Sequence, residues 1–311
     1  MWISALTSSA DPSHYGTLAG IRLAMAGMAV FSLSACSQGV LAPLGPVGEG
    51  DATIFIDALV IMLAIVLPTI AMAFWIAWRY RSSNSKADYR PEWAFSGRIE
   101  AVVWSIPILT IMVLGGLIWI GSIRLDPFRP LPARKPPLEI EVISLDWKWL
   151  FIYPQQHIAV VNELVIPVGQ PVHFSITSAS VFNSFFVPRL GSMIYAMPGM
   201  VSQLHLQADH PAMLWGASTQ FSGEGFSDMH FTVRSLAGND FDAWARGATR
   251  LGPSLDRAAY ASLLRPSSKV APFSYRQVDP GLFQMVAKQT LPIPASQHQA
   301  ASGPICGGSK P

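Results

Sequence analysis

Residues 58–78 and 101–121 each run for 21 positions without a charged side chain. At about 1.5 Å per helical residue, each makes a rod of about 31 Å, the thickness of a bilayer's hydrocarbon core. The two runs predict transmembrane helices, so part of this chain must fold in an apolar solvent. Pro68 and Pro107 would break soluble helices, but inside a membrane neighbouring groups re-satisfy the freed carbonyls. Trp75, Trp78, Trp104 and Trp119 lie towards the ends of the runs, where interfacial aromatics gather. Composition agrees: charged residues are 13% against about 25% in ordinary soluble domains. A net charge of +2 with no Lys/Arg-rich run argues against a nucleic-acid partner.

Arg22 is followed by eleven apolar or small residues, 23–33, and then by Ser34-Ala35-Cys36. That is the layout of a secretory signal, and the apolar run is too short to span a bilayer. Its end, Leu33-Ser34-Ala35-Cys36, resembles the bacterial lipoprotein signal, in which the cysteine receives a diacylglyceryl group and becomes the first residue after cleavage. Cys36 is therefore the expected lipidation site, with residues 1–35 as signal peptide and 36–52 as an extracytoplasmic linker. Cys36 and Cys306 are the two cysteines, too few for a disulfide framework or a four-cysteine zinc site.

Residues 53–122 are expected to form a two-helix transmembrane hairpin. Its loop, about 79–99, carries Arg79, Arg81, Lys86, Arg90 and Arg98, whereas residues 37–52 carry no Lys or Arg. Positive-inside reasoning puts the loop in the cytoplasm. Arg124, Arg129, Arg134 and Lys135 follow the second run, but they lead a long domain whose translocation is largely indifferent to such charges. Residues 123–137, with five prolines, read as an extended connector. Beyond it the hydrophobic pattern turns to period two at 138–143, 158–166, 171–177, 181–187, 201–206, 212–217 and 229–235. Seven short strands at this spacing predict an extracytoplasmic β-sandwich over 138–236. Residues 237–290 read as an arm of short helices, at 240–247, 255–264 and 280–288, and 291–311 as a disordered tail.

Membrane-anchored all-β architecture of this kind, two transmembrane helices before a small β-sandwich, resembles subunit II of the haem–copper respiratory oxidases, from about residue 36 to 288. Asp146-Trp147-Lys148-Trp149, Ile152-Tyr153-Pro154, Asn183-Ser184-Phe185-Phe186-Val187-Pro188-Arg189-Leu190-Gly191-Ser192 and Ile194-Tyr195-Ala196-Met197-Pro198-Gly199-Met200 look like the ubiquinol oxidase branch, cytochrome bo type. The resemblance implies a cupredoxin-like sandwich in the periplasm of a bacterial inner-membrane lipoprotein. It implies a complex that oxidises ubiquinol, reduces oxygen to water and pumps protons. Haems, copper and the ubiquinol site are then in the catalytic subunit I, with no cofactor and no catalytic residue in this chain. Subunits III and IV and membrane lipid are the further implied partners.

In the cytochrome c oxidase branch this domain holds two coppers, which need bridging thiolates with imidazole and thioether ligands, because soft sulfur stabilises Cu(I). The family pattern is an early His and then Cys-x-Glu-x-Cys-x-x-x-His-x-x-Met. Here those positions are Asn183, Ser218, Gln220, Ser222, Phe226 and Met229. Only the thioether survives, and Met229 alternates with Phe231 and Val233, as a core residue does. Residues 37–305 contain no cysteine, so no copper centre of this type is expected. His173, His205 and His230 fall in phase with polar neighbours and are expected to face solvent. Met193, Met197 and Met200 are expected to pack rather than ligate, and Trp147 and Trp149 to pack against subunit I.

Arg98-Ile99-Glu100-Ala101 matches the place where the family has a subunit II glutamate at the cytoplasmic mouth of a proton path into subunit I. Glu100 is thus a candidate for proton uptake, against plain interfacial solvation of a helix-end carboxylate. Two other functions compete: a copper-bearing cytochrome c oxidase subunit, opposed by the missing ligands, and a lipid-anchored extracytoplasmic binding module unrelated to respiration. A haem-bearing partner on purification separates the latter from the oxidase.

Overall fold

In the computed structural model, residues 39–88, 90–133, 135–250 and 252–291 are described. The predicted signal, Cys36 and Cys306 lie outside the described residues. Helix α1 spans Pro46–Arg79 and α2 spans Gly97–Arg124. Both are long and apolar enough to cross a membrane, and they run on through Pro68 and Pro107. Their large apolar side chains, such as Phe74, Ile111 and Trp119, are exposed, as surfaces made for lipid or a membrane partner are.

The predicted linker is in part helical, since α1 starts at Pro46. A proline is preorganised for a first helical turn, where its missing N–H is no loss. The segment before it is tied to the β-domain: the Leu44 N–H donates to the Arg189 carbonyl at 2.7 Å and the Gly48 N–H to the Leu190 carbonyl at 3.0 Å. Arg189 Nε in turn donates to the Ala42 carbonyl at 2.6 Å. A Cβ at Gly45 would stand 1.9 Å from the Gln207 carbonyl oxygen, so only glycine allows this approach.

The domain is built from β1 (Leu138–Leu145), β2 (Lys148–Tyr153), β3 (Ile158–Val161), β4 (Glu163–Pro167), β5 (Val172–Ser178), β6 (Asn183–Val187), β7 (Gly191–Ala196), β8 (Ser202–Leu206), β9 (Ala212–Ala217) and β10 (His230–Leu236). The arm adds α3 (Gly238–Ala248), β11 (Ser254–Leu255), α4 (Arg257–Leu263), β12 (Phe273–Tyr275), β13 (Gln277–Val278) and α5 (Leu282–Ala287). One sheet has the order β12-β3-β2-β1-β5-β8 and faces a second, β4-β10-β9-β6-β7. Between them Trp149, Phe151, Phe174, Phe185 and Phe231 are fully or almost fully buried. Trp149 meets Phe185 and Phe231 edge-on, with centroids 5.5 and 5.7 Å away. Trp149 therefore belongs to this domain's own core and is not available to subunit I, contrary to expectation.

Within the sandwich, β2 and β7 escaped the period-two pattern and one predicted strand divides, and the arm, expected as helices, also contributes β11, β12 and β13. All six residues of β2 are buried, because the arm covers its second face: Leu150 and Ile152 pack with Tyr260, Leu282 and Phe283. The run 158–166 breaks at Asn162, whose φ is 55°. There the chain leaves one sheet for the other, with the Asn162 carboxamide accepting the Trp149 N–H at 2.8 Å and donating to the Val270 carbonyl at 2.8 Å.

Candidate functional site

The six positions of the copper pattern are set by β6, the end of β9 and the loop that returns to β10. Asn183 opens β6 on a buried site, and Ser218 follows β9 directly and is also buried. The Asn183 amide donates to Ser144 Oγ at 2.7 Å and to the Val181 carbonyl at 3.2 Å. The Ser218 hydroxyl donates to Asn183 Oδ1 at 3.1 Å. Beside this pair, Ser184 Oγ and Thr219 Oγ1 are 2.7 Å apart, and Ser184 Oγ accepts the Thr219 N–H at 2.7 Å. Every group in the cluster is neutral, and each is hydrogen-bonded to another member.

The return loop is shaped by Trp147. Its backbone has φ 62°, and its indole N–H donates to the Ser222 carbonyl at 3.0 Å. A Cβ at Gly225 would fall 2.4 Å from the Trp147 ring. The loop can therefore close over the indole only with glycine there. Ser222 Oγ lies 3.8 Å from the sulfur of Met229, and Met229 is 1% exposed, in the core as its alternation predicted. Phe226 packs edge-on against Phe221 at 5.7 Å, while Gln220 is exposed on the loop. The structure thus gathers Asn183, Ser218, Ser222 and Met229; the Gln220 side chain stays outside, although its carbonyl lies 3.3 Å from the Ser218 hydroxyl.

These residues do not fit a dinuclear copper centre. They offer hydroxyls, a carboxamide, a phenyl ring and one buried thioether, where soft thiolates and imidazoles are required. What the cluster can do is close the sandwich end with a satisfied polar network. Ser144, Ser184 and Thr219 carry no ligand signature in the sequence. The visible signal was a lone serine inside the apolar run Ile143-Ser144-Leu145.

Two of the three histidines depart from the expectation of solvent exposure. His230 is exposed, but His205 is 7% exposed and the His173 side chain 19%. Both do point outward from their sheet, as the phase indicated, but the connector lies over His205 and the His173 ring stacks against it. The Pro127 carbonyl accepts both the His205 backbone N–H and its Nδ1–H, each at 3.1 Å. The His173 ring stacks on His205 with centroids 4.6 Å apart, and its Nδ1 is 2.5 Å from Glu139 Oε2. Met193 and Met200 are exposed, and among the described residues no metal-holding group of His, Cys, Asp or Glu forms.

Lys148, buried between β1 and the arm, donates to the carbonyls of Asp146 and Arg265 at 3.2 and 2.9 Å and to Ser267 Oγ at 2.7 Å. Burial pushes this ammonium down to about 8, opposed by the Asp146 carboxylate. Glu100 occupies the first turn of α2. It is exposed, and its Oε2 accepts the Trp104 indole N–H at 3.1 Å.

Residues 138–236 match the family model for the cytochrome c oxidase subunit II periplasmic domain, and residues 251–289 the COX aromatic rich motif. The ubiquinol oxidase subunit 2 of Acetobacter aceti is 46% identical over 256 residues, 82% of this chain and 83% of that protein. The cytochrome bo(3) ubiquinol oxidase subunit 2 of Pseudomonas aeruginosa is 45% identical over 251 residues, 81% of this chain and 76% of its own length. Among solved structures, the periplasmic domain of cytochrome oxidase subunit II from Bradyrhizobium japonicum aligns with a TM-score of 0.37 and 23% identity, over 38% of this chain and 98% of that one. The chain belongs to the ubiquinol oxidase subunit II family of the haem–copper oxidases.

Proposed function

We propose that this chain is the non-catalytic subunit of a proton-pumping ubiquinol oxidase, clamping the outer face of subunit I and helping to supply it with protons. Ubiquinol oxidation and oxygen reduction belong to subunit I with its haems and copper, and subunits III and IV complete the assembly. The observation that carries this reading is the neutral, self-satisfied cluster of Asn183, Ser144 and Ser218. A domain whose copper positions hold neutral hydroxyls and a carboxamide lacks the soft ligands of a dinuclear copper centre, which supports a binding and positioning role.

Glu100 supports the proton-supply part. It lies at the loop end of α2, its carboxylate oriented by Trp104. A carboxylate there meets water on one side and a membrane partner on the other, and can hand protons inward. On the opposite side of the membrane, lipid on Cys36 would add a second anchor to the two helices.

Purification in mild detergent tests the assignment, because a haem-bearing partner should accompany the chain in fixed ratio. Purification without haem would overturn it. Glu100→Gln keeps the shape and removes the proton site, so turnover should slow while haem content stays normal. Unchanged turnover at neutral and alkaline pH would remove Glu100 from the proton path. Intact mass spectrometry should find acylated Cys36 at the mature N-terminus, and an unmodified terminus at Met1 would exclude lipidation.

A further inference from the structure

The outward connector carries Arg124, Arg129, Arg134 and Lys135 against a single acid, Asp126. Clustered cations on the outer side of a membrane protein run against the usual charge bias, and the oxidase reading gives them no task. The structure supplies one. A cavity of about 380 Å³ lies where the hairpin meets the β-domain, lined by Arg124, Arg129, Asp126, Ser192 and His205 with apolar neighbours from α1 and β8. That volume is in the range of ligand sites, about 300–1,000 Å³.

Among the described residues, neither guanidinium has an ion-pair partner within 4 Å. Asp126 is occupied locally, its Oδ1 accepting the Phe128 N–H at 3.0 Å. The wall is rigid, because the two hydrogen bonds from His205 to the Pro127 carbonyl hold the connector to β8. Since a carbonyl only accepts, His205 Nδ1 carries its hydrogen.

The height of the cavity sets the class of ligand. α1 and α2 pack closely at Gly121, where an added Cβ would meet the Ile54 side chain at 2.5 Å. Arg124 stands one turn above that level, at the end of α2. Below it on the same helical stripe come Ile120 and Val113, at four and eleven positions, 51% and 54% exposed. Free cations over an exposed apolar stripe match a molecule with an anionic head and a hydrocarbon tail. We propose that this cavity binds the phosphodiester head group of an anionic phospholipid of the outer leaflet. Arg124 and Arg129 hold the phosphate, and the acyl chains descend along Ile120 and Val113. The proposal rests on the membrane placement of the hairpin and is independent of the oxidase role.

Native mass spectrometry of the full chain, purified with its partners and equilibrated with mixed micelles, tests it. Phosphatidylglycerol should be retained about tenfold over phosphatidylcholine, and the double variant Arg124→Gln/Arg129→Gln should lose that preference. Asp126→Asn keeps the oxygen that accepts the Phe128 N–H and removes the one negative charge, so retention should rise several-fold. That gain of binding cannot come from misfolding. Millimolar inorganic phosphate should leave the lipid in place. No preference in the parent protein, undiminished preference in the double variant, or weaker retention in Asp126→Asn would each overturn the site. Displacement by inorganic phosphate would overturn the lipid assignment in favour of a free-anion site. The haem content of the same samples reports the oxidase assembly separately.

Discussion

Asn183 and Ser218, on separate strands, hold each other in the closed end of the sandwich, the serine hydroxyl donating to the carboxamide oxygen at 3.1 Å. Ser144 takes the amide hydrogen on the other side at 2.7 Å. Asn183→Ala would strip the Ser144 hydroxyl of its partner in a fully buried site. An orphaned buried polar group costs about 1–3 kcal/mol. Thermal unfolding of the purified protein should show a loss of that order, and a variant as stable as the parent would show that the network carries no load.

Copper titration addresses the same positions from the chemical side. The loop presents Ser218, Ser222 and Phe226 where thiolates and imidazole are needed, so neither reducing nor oxidising conditions should give a thiolate charge-transfer band or a stoichiometric site. A saturable one- or two-copper site with such a band would contradict the assignment.

Lys148 makes stability depend on pH in a definite direction. Burial holds its ammonium at about 8 in the folded protein, against 10.5 for the free side chain. Between those values the unfolded chain binds more protons than the folded one, so this group's contribution rises with pH across that window and is level below it. Ser267, whose hydroxyl is 2.7 Å from the Lys148 Nζ, can donate to the neutral amine. Lys148→Met removes the titration. From about pH 7.5 to pH 10 the parent should gain on the variant by roughly 2–3 kcal/mol, at about 1.4 kcal/mol per unit. A difference that stays constant or shrinks would refute the sign.

Gly45→Ala probes the joint between hairpin and domain. The new methyl would press on the backbone oxygen of Gln207, 1.9 Å from the ideal Cβ position, so relief requires movement of the main chain. Overpacking of this kind costs about 1–3 kcal/mol, and the upper end is expected here. Limited proteolysis should cut the variant between residues 39 and 46 faster than the parent, and equal rates would mean that the joint yields elsewhere.

The hairpin was legible because an uncharged run of 21 residues has few other uses. Most strands were legible because one face of each meets the core and the other meets solvent. β2 was hidden for the opposite reason: the arm buries its second face, which erases the alternation. Asn162 looked like one more residue of a strand, and only its left-handed backbone marks the crossing between sheets. At the site, the loss of the copper ligands was plain from residue types laid on the family pattern. What replaced them was not, since Ser144 lies 39 positions from Asn183 and their meeting depends on the fold. His205 had the outward phase of a surface residue, and no local pattern could announce that the connector would cover it.

Helix α1 has 34 residues, about 51 Å at 1.5 Å per residue, whereas a hydrocarbon core is about 30 Å thick. Roughly 20 Å of rod therefore stands outside the apolar layer. At its periplasmic end the backbone is bonded into the Arg189–Leu190 turn through the Leu44 and Gly48 N–H groups. The sandwich is mounted on a mast rather than hung from a tether. Bilayers of different thickness are met by tilting such helices, and every degree of that tilt is handed directly to the orientation of the domain above.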